Sequence, residues 1–212
     1  MDLLDTIAEN IHQSFETRTK ARDRALEQTR MLIRHCANAI RAVHREDQDL
    51  AKNYLRDASD LAQSLTKNAI DHPDFYYAGY TQDALKEYAE AHLTYALING
   101  ETIPRPEELN IESVPFIKGL AETSGELRRR CLDMLRRGRS EEAERILGDM
   151  DDIYAVLVTM DYPNAITGGL RRQTDIVRSI TERTRGDLTL SLRQEQLEKK
   201  LQAFENHLAK PK

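Results

Sequence analysis

Tryptophan is absent from the 212 residues, and all aromatic residues together make up only 6%. Nine Gly and six Pro are too few for the many tight turns of an all-β sandwich, and the chain is not low-complexity. Cys36 and Cys131 stand far apart and match no metal or redox spacing, so both read as small core hydrophobes in a reducing compartment. No apolar run approaches the ~20 residues of a membrane span. The opening Met1-Asp2-Leu3-Leu4-Asp5 lacks the basic start and apolar stretch of a signal peptide. These absences imply a soluble cytoplasmic chain with no membrane partner. Familiar catalytic frames are missing as well. There is no Gly-x-Ser-x-Gly elbow, phosphate-cradling Gly-rich loop, His-Glu-x-x-His or Cys-x-x-Cys, and no Cys stands beside a His in a recognisable catalytic frame. A ferritin-like di-metal bundle needs two Glu-x-x-His pairs, and only Glu9 with His12 has that spacing.

What is present is a blend of Ala, Leu, Glu, Arg and Gln, the composition of a helical protein. Breaks fall at Asp71-His72-Pro73, Asn99-Gly100, Ile103-Pro104-Arg105-Pro106, Gly138, Tyr162-Pro163 and Gly186, and apolar spacing between them is helical. Residues 3–43 read as a first helix that is long and partly solvated or broken near the polar stretch 17–23. A second fits residues 50–70, with Leu50, Tyr54, Leu55, Ala58, Leu61, Leu65 and Ile70 on one side, and a third fits 81–98, ended by Asn99-Gly100. Pro106 opens a short turn. Ser113 is expected to cap a helix reaching Arg137 and Ser140 another reaching about Thr159, and residues 165–183 and 191–208 supply the last two. The expectation is a single all-α domain over residues 1–212, a bundle of six to seven helices without repeats.

The net charge of −5 argues against a chain that coats nucleic acid on every face. Local surfaces differ from the sum. Residues 18–45 hold Arg18, Lys20, Arg22, Arg24, Arg30, Arg34, Arg41 and Arg45 against only Asp23 and Glu27, and residues 128–139 hold six Arg against Asp133. Each basic stretch is either a solvated face and inter-subunit salt bridging, or a surface for phosphates.

Two carboxylate pairs carry the chemistry. Glu87 and Glu90 are three apart, and Glu122 and Glu126 four apart, so each pair shares a helix face. With 36 acidic residues such spacings also arise on plainly solvated faces. Four convergent carboxylates repel one another unless a hard cation joins them, and Mg²⁺ or Mn²⁺ with oxygen ligands suits that role. Such a site activates water and stabilises charge on a phosphodiester. The small residues Ser124-Gly125 beside Glu122 would permit the close helix approach that a shared site needs.

Three stretches are distinctive. Ala25-Leu26-Glu27-Gln28-Thr29-Arg30 leads a helix ending near Val43-His44. Leu85-Lys86-Glu87-Tyr88-Ala89-Glu90-Ala91 is similar to a Leu-Gln-Glu-Tyr-Val-Glu-Ala stretch of translin-associated factor X. Phe116-Ile117-Lys118-Gly119-Leu120-Ala121-Glu122-Thr123-Ser124-Gly125-Glu126-Leu127 resembles its Leu-Leu-Gly-Val-Ala-Asp-Leu-Thr-Gly-Glu-Leu. Over nearly its whole length the chain resembles the translin family, and most of all a prokaryotic member like the X subunit.

The resemblance implies a seven-helix α fold in a hollow, barrel-like homo-octamer. In that family translin binds RNA and single-stranded DNA, and the X subunit carries a metal-dependent endoribonuclease site whose acidic residues map onto Glu87, Glu90, Glu122 and Glu126. The departure is Glu122, where the X subunit has Asp; translin itself lacks the Glu-x-x-Glu pair kept here. Lys20, Arg24 and Arg30 fall where the family's first helix faces nucleic acid. Tyr76, Tyr77 and Tyr80 are either core or stacking surfaces for unpaired bases. The leading expectation is a Mg²⁺- or Mn²⁺-dependent endoribonuclease acting on single-stranded or partly paired RNA. The alternatives are a non-catalytic RNA or single-stranded DNA binding octamer and a helical scaffold with no nucleic-acid role. The apolar stripe Leu192, Leu197, Leu201, Phe204 and Leu208 wants a partner, either a second copy or its own chain.

Overall fold

The computed structural model describes residues 2–68 and 72–208; Ile70 and Asp71, and the side chain of Leu208, lie outside the described residues. Among those residues there are nine helices and no strand. Six are long: α1 (Asp2–His44), α2 (Gln48–Asn68), α4 (Gly79–Asn99), α6 (Ser113–Arg136), α7 (Ser140–Val158) and α9 (Leu170–Leu208). Three are single turns: α3 (Pro73–Tyr76), α5 (Pro106–Leu109) and α8 (Asn164–Thr167). The all-α architecture is as the sequence predicts. No described helix is long and apolar enough to cross a membrane.

The chain divides into two compact units, one of Met1–Tyr95 with Pro104–Gly119, the other of Ala96–Ile103 with Leu120–Lys212. In the first, α1 turns back into α2 through a short link in which Asp47 Oδ1 accepts from the Leu50 N–H at 3.1 Å. That carboxylate caps an otherwise unpaired donor at the start of α2. Leu32, Cys36, Ala39 and Val43 of α1, Ala51, Leu55 and Ala58 of α2, and Leu85, Tyr88 and Leu93 of α4 are buried. Along α1 and α2 these residues recur at three and four, the spacing of an amphipathic helix, while Leu50, read from the sequence as on the buried side of α2, is exposed. In the second unit, Leu127, Cys131 and Met134 of α6, Ala143, Ile146 and Met150 of α7, and Leu170, Val177 and Leu188 of α9 are buried.

One local alternative is decided and other expectations are corrected. Helix α1 is unbroken through the polar stretch, and every residue from 3 to 20 is exposed, so solvation rather than a break resolves that segment. Ser140 does not cap α7: its Oγ donates to Glu195 Oε2 at 3.0 Å, and Arg139 holds the cap position without a side-chain bond. Gly186 does not interrupt α9. Arg185 pairs with Asp151 and Arg128 with Asp187, pinning the helix on both sides of the glycine. A helical glycine costs only about 1 kcal/mol against alanine, within what such contacts and the buried Thr184 and Leu188 offset. The break falls instead at Gly168 and Gly169, whose φ values of 59° and 90° lie in the region that favours glycine.

Candidate metal centre

Glu87 and Glu90 lie on α4 among buried Leu85, Tyr88 and Ala89, so the apolar packing of that helix fixes the direction of both carboxylates. Gly119 of α6 rests directly on this part of α4. A Cβ added there would stand 2.7 Å from Ala89 Cβ, 2.7 Å from the Lys86 carbonyl oxygen and 2.9 Å from the Glu90 nitrogen. Only glycine permits that approach. One turn further along α6 comes Glu122, and ligand oxygens of Glu87, Glu90 and Glu122 all lie within 4.8 Å of one another. Glu90 is buried, while Glu87 and Glu122 are half-buried.

Ionised carboxylates this close repel by about 3 kcal/mol per pair at an effective dielectric constant of about 20. Lys86 offsets part of this, its Nζ standing 3.3 Å from Glu87 Oε1. From α9, Gln173 Nε2 donates to Glu122 Oε1 at 3.1 Å. Burial, and then the charges of Glu87 and Glu90, push the Cys36 thiol far up from its ordinary value. Cys36 is fully buried and stands outside the group of three, so it is a packing residue. What remains is a set of hard oxygen donors, the chemistry a divalent hard cation takes. Glu87, Glu90 and Glu122 can hold a metal ion. Glu126, the fourth expected carboxylate, stands outside this group of three, with Oε2 at 3.8 Å from Arg129 Nη1.

The basic residues divide in two. Lys20, Arg24 and Arg30 are exposed on α1, with Lys20 and Arg24 sharing a face and Arg30 projecting from another. Arg24 lines a cavity of about 460 Å³ with Gln28, Ser64, His72, Phe75 and Tyr76. The arginines of residues 128–139 are largely engaged within their own unit. Arg130 is buried on Glu142, Arg128 binds Thr184 and Asp187, Arg136 meets Asp133, and Arg139 meets Glu142. Tyr76 is core. Tyr77 is exposed but donates to Glu112 Oε1 at 2.8 Å, and Tyr80 is half-buried.

No family model matches the chain. It is 35% identical over 169 residues to an uncharacterized protein of Methanocaldococcus jannaschii, covering 79% of this chain and 74% of that protein. Among solved structures it is similar to AfC3PO, with a TM-score of 0.80, 29% identity, and coverage of 86% of this chain and 95% of that one. One AfC3PO structure is a complex with duplex RNA. The apo structure of NeC3PO has a TM-score of 0.80 at 23% identity, covering 86% of this chain and 96% of that one, and shows the shared fold. The chain belongs to the translin family.

In this translin-family chain the two helices that carry the distinctive motifs, α4 and α6, are the two whose carboxylates converge. The close approach is made by Gly119 and not by Ser124-Gly125, since a Cβ at Gly125 would meet nothing within 4 Å. Gln173 is not visible in the sequence as a site residue, because the partner of its amide lies 51 positions away. Lys86 is visible only as part of the motif, and a lysine next to a glutamate carries no signal by itself.

Proposed function

We propose that this translin-family chain is a metal-dependent endoribonuclease of the X-subunit kind, cutting single-stranded or partly paired RNA inside a hollow homo-octamer. The observation that carries the reading is the convergence of Glu87, Glu90 and Glu122 at a helix crossing only a glycine permits. AfC3PO, 29% identical to this chain, is found in complex with duplex RNA, which supports RNA as the class of ligand. A Mg²⁺ or Mn²⁺ ion held by these three, with Glu126 a turn away as a fourth carboxylate, would offset charge on the phosphodiester and make a nearby water more acidic.

The chain's own residues do the rest. Lys86 fixes the Glu87 carboxylate and adds a positive charge where an RNA phosphate would sit. One carboxylate of the group takes the proton of the attacking water. Lys20, Arg24 and Arg30 bind phosphates along the strand, and half-buried Phe75 beside Arg24 offers ring surface to an unpaired base. A non-catalytic binder of RNA or single-stranded DNA is the second reading, favoured by the position of Glu126 outside the group of three.

Assembly has support in two exposed apolar stripes. Leu3, Leu4, Ile7, Ile11 and Phe15 run along α1, and Leu190, Leu197, Leu201 and Phe204 along α9. Neither stripe is covered within its own unit, and contiguous apolar surface of this kind marks interaction sites. The test of activity is cleavage of a labelled RNA in Mg²⁺, with EDTA and Glu87→Ala as controls. Cleavage that both controls abolish supports the reading; cleavage that survives both belongs to a contaminating nuclease and removes it.

A further inference from the structure

One side chain at the carboxylate group has an unusual hydrogen-bond balance. Gln173 of α9 donates through Nε2 to Glu122 Oε1 at 3.1 Å, while its own Oε1 is buried with no hydrogen-bond partner. A buried acceptor left unpaired is costly, and native structures rarely leave one without a reason. The amide cannot relieve the cost by turning over, because its oxygen would then face the Glu122 carboxylate. Nor does the residue serve only to tie α9 to α6. That link is already made by Arg128, which donates to Thr184 Oγ1 at 2.9 Å and pairs with Asp187 at 2.9 Å. A simple tether at this place would need the donor and not the orphaned acceptor.

The geometry points to Gln173 as a positioning residue of the cation site: its Nε2–H holds Glu122 in the orientation that brings a carboxylate oxygen to Glu87 and Glu90, and its Oε1 accepts from a water in the cation's hydration shell. This rests on reading Glu87, Glu90 and Glu122 as a cation site. Residues that orient metal ligands in this way typically change metal affinity 10- to 100-fold when removed. Hydrating waters of a divalent ion are strong donors, and Mg²⁺ keeps several of them when bound by carboxylates. An acceptor held beside the ligand set, with nothing in the protein to satisfy it, suits that donor. Neutral glutamine suits the place better than glutamate, which would repel Glu122.

The test is Mn²⁺ binding to the full-length protein without RNA, by titration calorimetry, beside thermal melting in EDTA. Gln173→Leu and Gln173→Met both keep the volume and remove both ends of the amide, so either one suffices if the other folds poorly. The expected result is a Mn²⁺ dissociation constant raised about 10- to 100-fold, with the metal-free melting temperature unchanged or slightly higher. In a Glu122→Gln background the same substitution should have little further effect on Mn²⁺ affinity. Unchanged Mn²⁺ affinity with a lowered metal-free melting temperature would make Gln173 a tether and overturn the proposal. Glu87→Ala separates the two levels. If it removes Mn²⁺ binding while Gln173→Met does not weaken it, the positioning role alone falls. If wild type and Glu87→Ala bind Mn²⁺ equally, the cation site falls and the role of Gln173 falls with it.

Discussion

His92 sits two residues past Glu90 on α4 yet does different work. Its Nε2 is 3.3 Å from Ser59 Oγ, which also meets Tyr88 Oη at 3.0 Å, and the two rings pack edge to face with centroids 4.7 Å apart. Burial pulls the His92 pKa down to about 4, against a weak opposing pull from a hydrogen bond to the backbone of Leu55. The folded protein therefore holds this imidazole neutral where the unfolded chain protonates it. The stabilisation is complete above about pH 6.5 and falls as pH drops towards about 4, by up to about 3 kcal/mol. Melting temperatures at pH 7 and pH 5 should show this slope, and His92→Gln should flatten it. Equal slopes in both proteins would remove His92 from the cause. On a helix a spacing of two is too short to put a glutamate and a histidine on one face, and no role for His92 is legible in the sequence. The structure assigns it to a buried polar network that includes Ser59 of α2, a partner 33 residues away.

At the scale of helices, two glycines with the same sequence signal have opposite consequences. Gly119 and Gly186 both sit inside long helices. An added methyl group at Gly186 meets nothing within 4 Å, so Gly186→Ala should stabilise the protein by about 0.5–1 kcal/mol through helix propensity. At Gly119 the same group lands 2.7 Å from Ala89 and from a backbone carbonyl of α4. Overpacking costs about 1–3 kcal/mol and outweighs the propensity gain. Gly119→Ala should lower the melting temperature, push α6 away from α4 and weaken Mn²⁺ binding. If both substitutions stabilise equally, the two helices are not in contact at Gly119. Helix existence and the carboxylate faces are legible because apolar residues and glutamates recur at three and four. The close approach is not, because nothing in the sequence tells a glycine that breaks a helix from one that admits a neighbour. Gly186 reads as a break for the same reason, and the ties made by Arg185 and Arg128 to either side of it are tertiary.

At the scale of the whole molecule, a chain with a net charge of −5 is expected to bind a polyanion. Local sign decides this, since Lys20, Arg24 and Arg30 project from one helix while many other arginines pair within their units. Light scattering should give a mass several times the 24.4 kDa of one chain, with an octamer as the expected form. A mass near 24.4 kDa at micromolar concentration would contradict the assembly and leave the exposed Phe15 and Phe204 unexplained. The division of labour between acidic cluster and basic face is the central claim, and one paired measurement reaches it. A filter-binding titration is run beside cleavage of the same labelled RNA in Mg²⁺ for wild type, Glu90→Gln and Arg24→Ala. Glu90→Gln should reduce cleavage by a factor corresponding to several kcal/mol while keeping RNA affinity nearly intact, because the charge it helps offset develops in the transition state. Arg24→Ala should weaken binding and lower the salt slope by about one for each phosphate the arginine neutralises. A folded Glu90→Gln that binds RNA as poorly as Arg24→Ala would contradict the account.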